Sequence, residues 1–163
     1  MSVSGEEVDL LRLEWVKCSS TSSWSNSKLI QAYELLLETT GESYLPERLR
    51  ILPLDETFGT WILQDLDSNI FGLLWAMRLS NERCRVLAFS ISTKLQGKGY
   101  GAKGWDLFQE TAKKSGCEEI QLEVRQDNSS AIAMYRRRGL RKIGRITGYY
   151  QGNDGWLMLG NIR

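Results

Sequence analysis

The sequence predicts an α/β (α+β) fold in which helices cover the faces of a mixed central sheet. Two observations support this fold class. Segments with the period of strands and segments with the period of helices follow one another along the 163 residues, and turn residues separate three β-rich runs in the middle. Because the chain shows no internal repeat and no linker, residues 1–163 are expected to form one domain, with 1–9 as a flexible leader.

The first third of the chain predicts one strand and one helix. Its segments are a strand over 10–18, a serine-rich loop over 19–27, a helix over Lys28–Glu38, and a loop with at most one helical turn over 42–56. Asn26 or Ser27 can act as the N-cap of the helix by accepting a backbone hydrogen bond. Gly41 can adopt the left-handed conformation that ends many helices, so the helix is expected to stop there.

The middle third predicts an antiparallel meander. Its β-rich runs are Thr57–Gln64, Ile70–Leu79 and Arg85–Ile91. The short segments between them, 67–69 and 80–82, are rich in Asp, Asn and Ser, which favour turns between neighbouring strands. The three runs are therefore expected to pair in sequence order.

The last third predicts a helix, a strand, a second helix and a hairpin. These elements are a helix over Gly99–Ser115, a strand over Glu119–Arg125, a helix over Ser129–Arg138, and strands over Lys142–Tyr150 and Trp156–Ile162. Ile120, Leu122 and Val124 alternate with polar residues, which is typical of a strand with one buried face. Asn128 can cap the second helix, and the Gly-Asn-Asp-Gly run at 152–155 predicts the hairpin turn.

The composition excludes several classes of function. The chain has no histidine, which removes histidine-based hydrolases and leaves Glu, Asp, Tyr, Lys or Cys for proton transfer. A net charge of +1 gives no support for binding nucleic acid or a membrane, and no apolar run is long enough to span one. The polar opening MSVSGEEVD is unlike a secretory signal, so a cytoplasmic location is expected. The three isolated cysteines predict neither a disulfide nor a metal site.

The segment Gln96–Ala102 forms a glycine-rich loop between a strand and a helix. Glycines permit a tight turn with unobstructed backbone N–H groups, and the positive end of the helix dipole favours an anion. Lys98 adds a positive charge, so the loop predicts a phosphate or pyrophosphate site. Gly99, Gly101 and Gly104 also satisfy the GxGxxG pattern of dinucleotide-binding domains. That pattern, however, belongs at the start of repeated βα units, whereas here it follows the meander.

Two segments together resemble the GNAT superfamily of N-acetyltransferases. The acetyl-CoA signature of that family is Arg or Gln, two residues, Gly, one residue, then Gly or Ala, and Gln96, Gly99 and Gly101 match it. The second segment, LEVRQDNSSAIAMY followed by RRRGL at 122–140, is similar to ribosomal-protein alanine N-acetyltransferases and related protein N-terminal acetyltransferases. The resemblance covers about residues 82–163, and the first half is similar in the order of its elements.

The resemblance implies a mostly antiparallel central sheet of six to seven strands with helices on both faces, and acetyl-CoA as the cosubstrate. It also implies that strands 85–91 and 119–125 splay apart and that the coenzyme lies in the gap between them. The residues that it implies for binding acetyl-CoA are Phe89, Ile91, Gln96, Gly97, Lys98, Gly99, Tyr100, Gly101, Ala102 and Asn128.

The same resemblance implies the residues of proton transfer. Glu123 matches the glutamate of the family and points away from the core side of its strand, so it is the expected base, acting through a water. Tyr135 matches the general acid, since a phenol with a pKa near 10 stays protonated and can donate to the leaving thiolate. Tyr149 and Tyr150 are expected to contact the acceptor. These roles imply direct acetyl transfer without an acetyl-cysteine intermediate.

The acceptor stays open at this point. A protein α-amino group has a pKa of about 7.7–8.0, far below that of lysine, so a modest base can deprotonate it, and this favours a protein N-terminus. A small amine such as a polyamine, an aminoglycoside or an amino acid is the alternative. A non-catalytic acyl-CoA-binding sensor with the same fold is a third hypothesis, although a sensor would not need both Glu123 and Tyr135. The protein is expected to be a monomer or a homodimer.

Overall fold

The computed structural model describes residues 12–163. Its strands are β1 (Glu14–Lys17), β2 (Thr60–Gln64), β3 (Ile70–Arg78), β4 (Arg83–Ile91), β5 (Glu119–Arg125), β6 (Arg141–Tyr150) and β7 (Asn153–Asn161). Its helices are α1 (Asn26–Thr40), α2 (Pro46–Arg50), α3 (Tyr100–Lys114) and α4 (Ser129–Arg137), with short 3₁₀ turns at Thr21–Ser23 and Thr93–Leu95. The predicted leader and the first two residues of the predicted strand 10–18 lie outside the described residues.

All seven strands belong to one sheet, in the order β1-β2-β3-β4-β5-β7-β6. Every neighbouring pair is antiparallel except β4 and β5, which run parallel. The α3 helix connects these two strands and returns the chain to the end of the sheet at which β4 began. The predictions of a mostly antiparallel sheet of six to seven strands and of a β2–β4 meander are therefore confirmed. None of the helices in residues 12–163 has the length and apolar character needed to cross a bilayer.

The sheet separates two hydrophobic cores. The α1 and α2 helices cover one face, where Leu73 and Trp75 of β3 are fully buried. The α3 and α4 helices cover the other face, around Trp105 and Phe108. Because both faces of the central strands are buried, β2 and β3 are almost continuously apolar. Helices therefore lie on both faces, as predicted.

The start of α1 differs from the prediction. Ser25, rather than Asn26 or Ser27, is the N-cap, and its hydroxyl accepts a hydrogen bond from the backbone N–H three residues on at 3.2 Å. The side chain of Asn26 instead accepts a hydrogen bond from Arg50 at 2.7 Å, which links α1 to α2. The predicted end is confirmed, since Gly41 has a left-handed φ of +71°.

Several strand boundaries were also wrong, since β1 begins only at Glu14 and β4 begins at Arg83 rather than Arg85, and two further differences concern β2 and the hairpin turn. The β2 strand begins at Thr60 instead of Thr57, because the carboxylate of Asp55 accepts hydrogen bonds from the next backbone N–H groups and holds them in a turn. The hairpin turn lies at Gln151 and Gly152, both with positive φ, rather than over 152–155. The Asn-Asp-Gly sequence that predicted the turn belongs to the start of β7.

Gly104 allows α3 to lie close to the sheet. A Cβ atom at this position would be 2.4 Å from the ring of Trp15 on β1, so only glycine fits there. The Trp15 indole N–H also donates to the carbonyl of Tyr100 at 2.9 Å, which ties β1 to the first turn of α3. The third glycine of the GxGxxG pattern therefore serves the packing of a helix on the sheet.

Gly104→Ala should destabilise the fold by about 1–3 kcal/mol, since the new methyl group overpacks a rigid contact with Trp15. Gly101→Ala, one turn earlier, is the matched control. The Cβ of an alanine at this position would lie at an ordinary 3.6 Å from Phe89. This substitution should therefore leave the free energy of unfolding within about 0.5 kcal/mol of that of the wild type. Urea unfolding of the two variants measures the difference. Equal midpoints would contradict the role assigned to Gly104.

Candidate active site

A gap opens in the sheet where β4 and β5 stop pairing. Their last pair is Val86–Leu122, yet β4 continues to Ile91 and β5 to Arg125. Leu87 is an extra residue in β4 relative to β3, and such a bulge bends its strand. The two strands keep their outer partners, β3 and β7, so the sheet itself holds the gap open. This is the splay that the sequence resemblance implied.

Three cavities meet at the gap, and Phe89 and Thr40 line all of them. The glycine-loop cleft, about 330 Å³, lies between the loop after β4, the end of α1 and α4. The strand gap, about 100 Å³, lies between Val86–Phe89 and Leu122–Arg125. The α1–α2 pocket, about 250 Å³, lies on the face of the sheet that these two helices cover. The cavities thus form a path from the glycine loop to the opposite face.

The last three residues of the glycine loop, in the first turn of α3, present backbone donors toward the cleft. Gly97 and Gly99 have φ values of +77° and +89°, and within residues 12–163 no atom other than those of their chain neighbours lies within 4 Å of the position that a Cβ would take on either. The N–H groups of Tyr100–Ala102, in the first turn of α3, have no acceptor among residues 12–163. The Gln96 side chain donates to the carbonyl of Ile91 at 3.0 Å and so ties the loop to β4. The loop therefore fits a pyrophosphate group.

The structure gathers most of the predicted coenzyme residues at one cleft. Those that line the glycine-loop cleft are Phe89, Ile91, Gln96, Gly97, Gly101 and Asn128. Lys98, Gly99, Tyr100 and Ala102 lie in the adjoining loop and helix turn. Asn128 also caps α4, accepting from the N–H of Ala131 at 3.3 Å, so both of its predicted roles are compatible. Arg137 adds a cationic side chain to the cleft wall.

Glu123 lies at the strand gap on the face that α1 and α2 cover. One of its carboxylate oxygens accepts from the Arg85 Nε at 2.9 Å and the other from the Gln121 amide at 3.2 Å. Its side chain is only 13% exposed, so these two contacts fix the carboxylate at the edge of the gap. Arg85 was not singled out from the sequence, although it lies among the polar positions of β4 as Glu123 does among those of β5.

Tyr135 reaches the same gap from the opposite face. It lies on α4, is 7% exposed and packs on Trp105 with ring centroids 5.8 Å apart. Burial, and to a lesser extent the neighbouring Tyr149, raises the pKa of its phenol above the ordinary value. Its hydroxyl has no hydrogen-bond partner within the described part of the chain. Tyr135 is thus a protonated donor that faces the cavity.

The two adjacent tyrosines of β6 have different positions. Tyr149 lines both the strand gap and the α1–α2 pocket. Burial first, and then the carboxylates of Glu42 and Glu123, raises the pKa of its phenol, which therefore stays uncharged. Tyr150 lines none of the three cavities, and its hydroxyl accepts from the backbone N–H of Ser43 at 3.2 Å. Tyr150 therefore braces the segment after α1.

The segment after α1 contributes residues that sequence reasoning missed. Glu42 lines both the strand gap and the α1–α2 pocket, and the Tyr44 hydroxyl donates a short hydrogen bond to its carboxylate. Burial, followed by Glu42, raises the pKa of the Tyr44 phenol. The sequence pointed to Glu42 and Tyr44 only indirectly, because Gly41 ends α1 and the residues after it therefore leave the helix close to the strand gap.

Comparisons with known proteins agree with this architecture. The Acetyltransferase (GNAT) family model matches residues 29–140. The chain is 37% identical over 75 residues, 45% of its length, to the uncharacterized protein ML0378 of Mycobacterium leprae, of which it spans 20%. Two solved structures share the fold. Ard1 from Thermoplasma volcanium has a TM-score of 0.78 and 19% identity, covering 93% of this chain and 98% of its own. The Escherichia coli ribosomal-protein-S18-alanine N-acetyltransferase has a TM-score of 0.76 and 16% identity, covering 93% and 94%.

An open strand gap beside a glycine loop and a helix N-terminus is the arrangement that the resemblance to the GNAT superfamily implied. The chain belongs to the GNAT acetyltransferase family, whose model covers well over half of it. The family and the fold that the sequence predicted are therefore confirmed.

Proposed function

We propose that this protein transfers the acetyl group of acetyl-CoA to a protein N-terminal α-amino group, with Glu123 as base through a water and Tyr135 as acid. One observation carries the proposal. Glu123 and Tyr135 reach the same strand gap from opposite faces of the sheet. A base on one side and an acid on the other is the arrangement that direct attack on a thioester requires.

The donor side of the site is built from backbone groups. The N–H groups of Tyr100–Ala102 and the dipole of α3 would hold the pyrophosphate of acetyl-CoA. Beyond Val86 the edge of β4 has no strand partner on the β5 side, so its main chain can pair with the pantetheine arm as with an added strand. Acetyl-CoA supplies the acetyl group and a thiolate leaving group.

The positions of Glu123 and Tyr135 on opposite faces of the sheet assign one proton transfer to each residue. The amine approaches from the α1–α2 pocket, and Glu123, at the adjoining strand gap, takes up its proton through a water. The leaving thiolate forms on the side of Tyr135, whose phenol donates a proton to it. The free thiols Cys18, Cys84 and Cys117 line none of the three cavities, which supports direct transfer over an acetyl-cysteine route.

The α1–α2 pocket supports a peptide acceptor. Its apolar wall includes Leu52, Trp75 and Leu87, and its polar rim includes Glu42 and Arg48. About 250 Å³ suits one amino-acid side chain, with polar groups nearby for the peptide backbone. The structural relative from Escherichia coli is named for acetylating an alanine of a ribosomal protein, which agrees with this acceptor class.

Release of free thiol from acetyl-CoA tests the proposal with a matched pair of peptides. One peptide carries a free α-amino group and blocked lysines, and its partner carries a blocked N-terminus and free lysines. We expect thiol release from the first peptide only. Acetylation confined to the second peptide, or to polyamines, aminoglycosides or amino acids, would refute the N-terminal acceptor. Binding of acetyl-CoA without turnover of any amine would point to a sensor.

A further inference from the structure

The position of Tyr149 depends on an irregularity in β6. The β6–β7 ladder pairs Ile146 with Gly155 and resumes at Tyr150 with Asn153, so three residues of β6, 147–149, lie opposite the single residue 154 of β7. At the centre of this bulge Gly148 has a left-handed φ of +65°, a conformation that favours glycine. A bulge of this kind redirects the side chains that follow it.

Asp154 holds the bulge in place. One of its carboxylate oxygens accepts from the backbone N–H of Gly148 at 3.0 Å. The other accepts from Arg145 twice, from Nε at 3.0 Å and from a terminal nitrogen at 2.5 Å. The hydrogen bond from Gly148 and then the contact with Arg145 lower the pKa of Asp154, so it is ionised at neutral pH. Asp154 and these two partners form what we call the β6 clasp.

With the β6 clasp formed, the ring of Tyr149 lies over β7 and its side chain reaches the candidate active site. A Cβ atom on the buried Gly155 would lie 2.8 Å from the Tyr149 Cγ, so glycine is needed for the ring to lie there. From this position Tyr149 lines both the strand gap and the α1–α2 pocket. None of Arg145, Gly148 and Asp154 lines any of the three cavities. Tyr149 is therefore the residue of this bulge that lines the site directly, and the hydroxyl of Tyr150 contacts the backbone next to Glu42.

We propose that Asp154 is a positioning residue that, through the β6 clasp, holds Tyr149 as the wall against which the acceptor amine is aligned. This inference rests on the proposed function, because it assigns the α1–α2 pocket to the acceptor. The uncharged phenol of Tyr149 lines the strand gap together with Glu42 and Glu123, where it can share hydrogen bonds with an incoming amine. Release of the clasp should loosen binding of the acceptor and leave the donor side unchanged.

A double-mutant cycle between Asp154→Ala and Tyr149→Ala tests the proposal, using the free-N-terminus peptide as acceptor. We expect Asp154→Ala to raise the KM for the peptide by about tenfold, with kcat and acetyl-CoA affinity changed by less than about threefold. In the Tyr149→Ala background the same substitution should have no further effect. Asp154→Asn keeps an oxygen for the Gly148 N–H and should recover part of the loss.

Additive effects of the two substitutions, or an unchanged KM in Asp154→Ala, would overturn the positioning role. A loss of acetyl-CoA affinity equal to the rise in KM would do so as well, because it would indicate general disruption. Hydrogen exchange at the Gly148 amide gives a readout that needs no acceptor, and Asp154→Ala should accelerate it. Unchanged exchange would refute the clasp, whereas absence of turnover in the wild-type protein would refute the proposed function.

Discussion

Tyr135→Phe should lower kcat by about 10²-fold or more and leave the affinity for acetyl-CoA unchanged. The phenol faces the strand gap and has no hydrogen-bond partner in residues 12–163, so its loss removes a proton donor without breaking a contact of the fold. Phenylalanine keeps the ring that packs on Trp105. The raised pKa of Tyr135 also implies that its proton stays in place as the assay is made alkaline. Steady-state kinetics and calorimetry separate the two effects.

Tyr33→Phe is the control for this substitution, because Tyr33 is a half-buried tyrosine on α1 that packs against the other core. It should leave kcat unchanged. A Tyr135→Phe enzyme with the turnover of the wild type would remove the proposed acid. Loss of acetyl-CoA binding in that variant would assign Tyr135 to the coenzyme site instead of proton transfer.

Glu123→Gln should also lower turnover, by about 10²-fold at neutral pH, since the amide cannot accept the proton of the amine. Glutamine keeps the size of the side chain and an oxygen that can accept from Arg85. The loss should shrink as the pH rises past the pKa of an α-amino group, about 8, because the acceptor then arrives uncharged. A pH profile of the rate with the free-N-terminus peptide measures this recovery.

Glu119→Gln provides a matched control on the same strand. Glu119 faces the same side of β5 as Glu123 and makes the equivalent ion pair with Arg83 at 3.4 Å, but it lies where β4 and β5 are still paired. It should not change the rate at any pH. A Glu123→Gln enzyme that matched this control would refute the base role, and Glu42 would then be the carboxylate of choice at the acceptor side.

The glycine loop and the strand gap could be predicted from sequence because both depend on the geometry of the backbone. Gly97 and Gly99 adopt the positive φ values for which their residue type is suited, and α3 begins directly after them. Of the two strands beside the gap, β5 has the predicted bounds and alternates as expected, and β4 has the predicted end but begins two residues earlier, at Arg83. Each of these predictions depends on a short stretch of sequence, so no contact between distant segments had to be anticipated.

The proposed acceptor side depends on contacts between distant segments, which local sequence patterns do not report. Glu42 reaches the gap because of how α1 ends, and Arg85 meets Glu123 through the register of two parallel strands. The Asn-Asp-Gly run was interpreted as a turn because it combines residues that favour turns. In the structure Asp154 instead stabilises the β6 bulge, and Gly155 makes room for the ring of Tyr149.

We expect acetyl-CoA to bind in the gap between β4 and β5, with its pyrophosphate at the start of α3. Titration with acetyl-CoA followed by backbone amide NMR tests it most directly. We predict saturable shifts at Gly99, Gly101 and Phe89, whereas residues at the rim of the α1–α2 pocket, such as Arg48, should move only when a peptide is added. Absence of saturable binding, or shifts confined to the α1–α2 pocket, would contradict the claim.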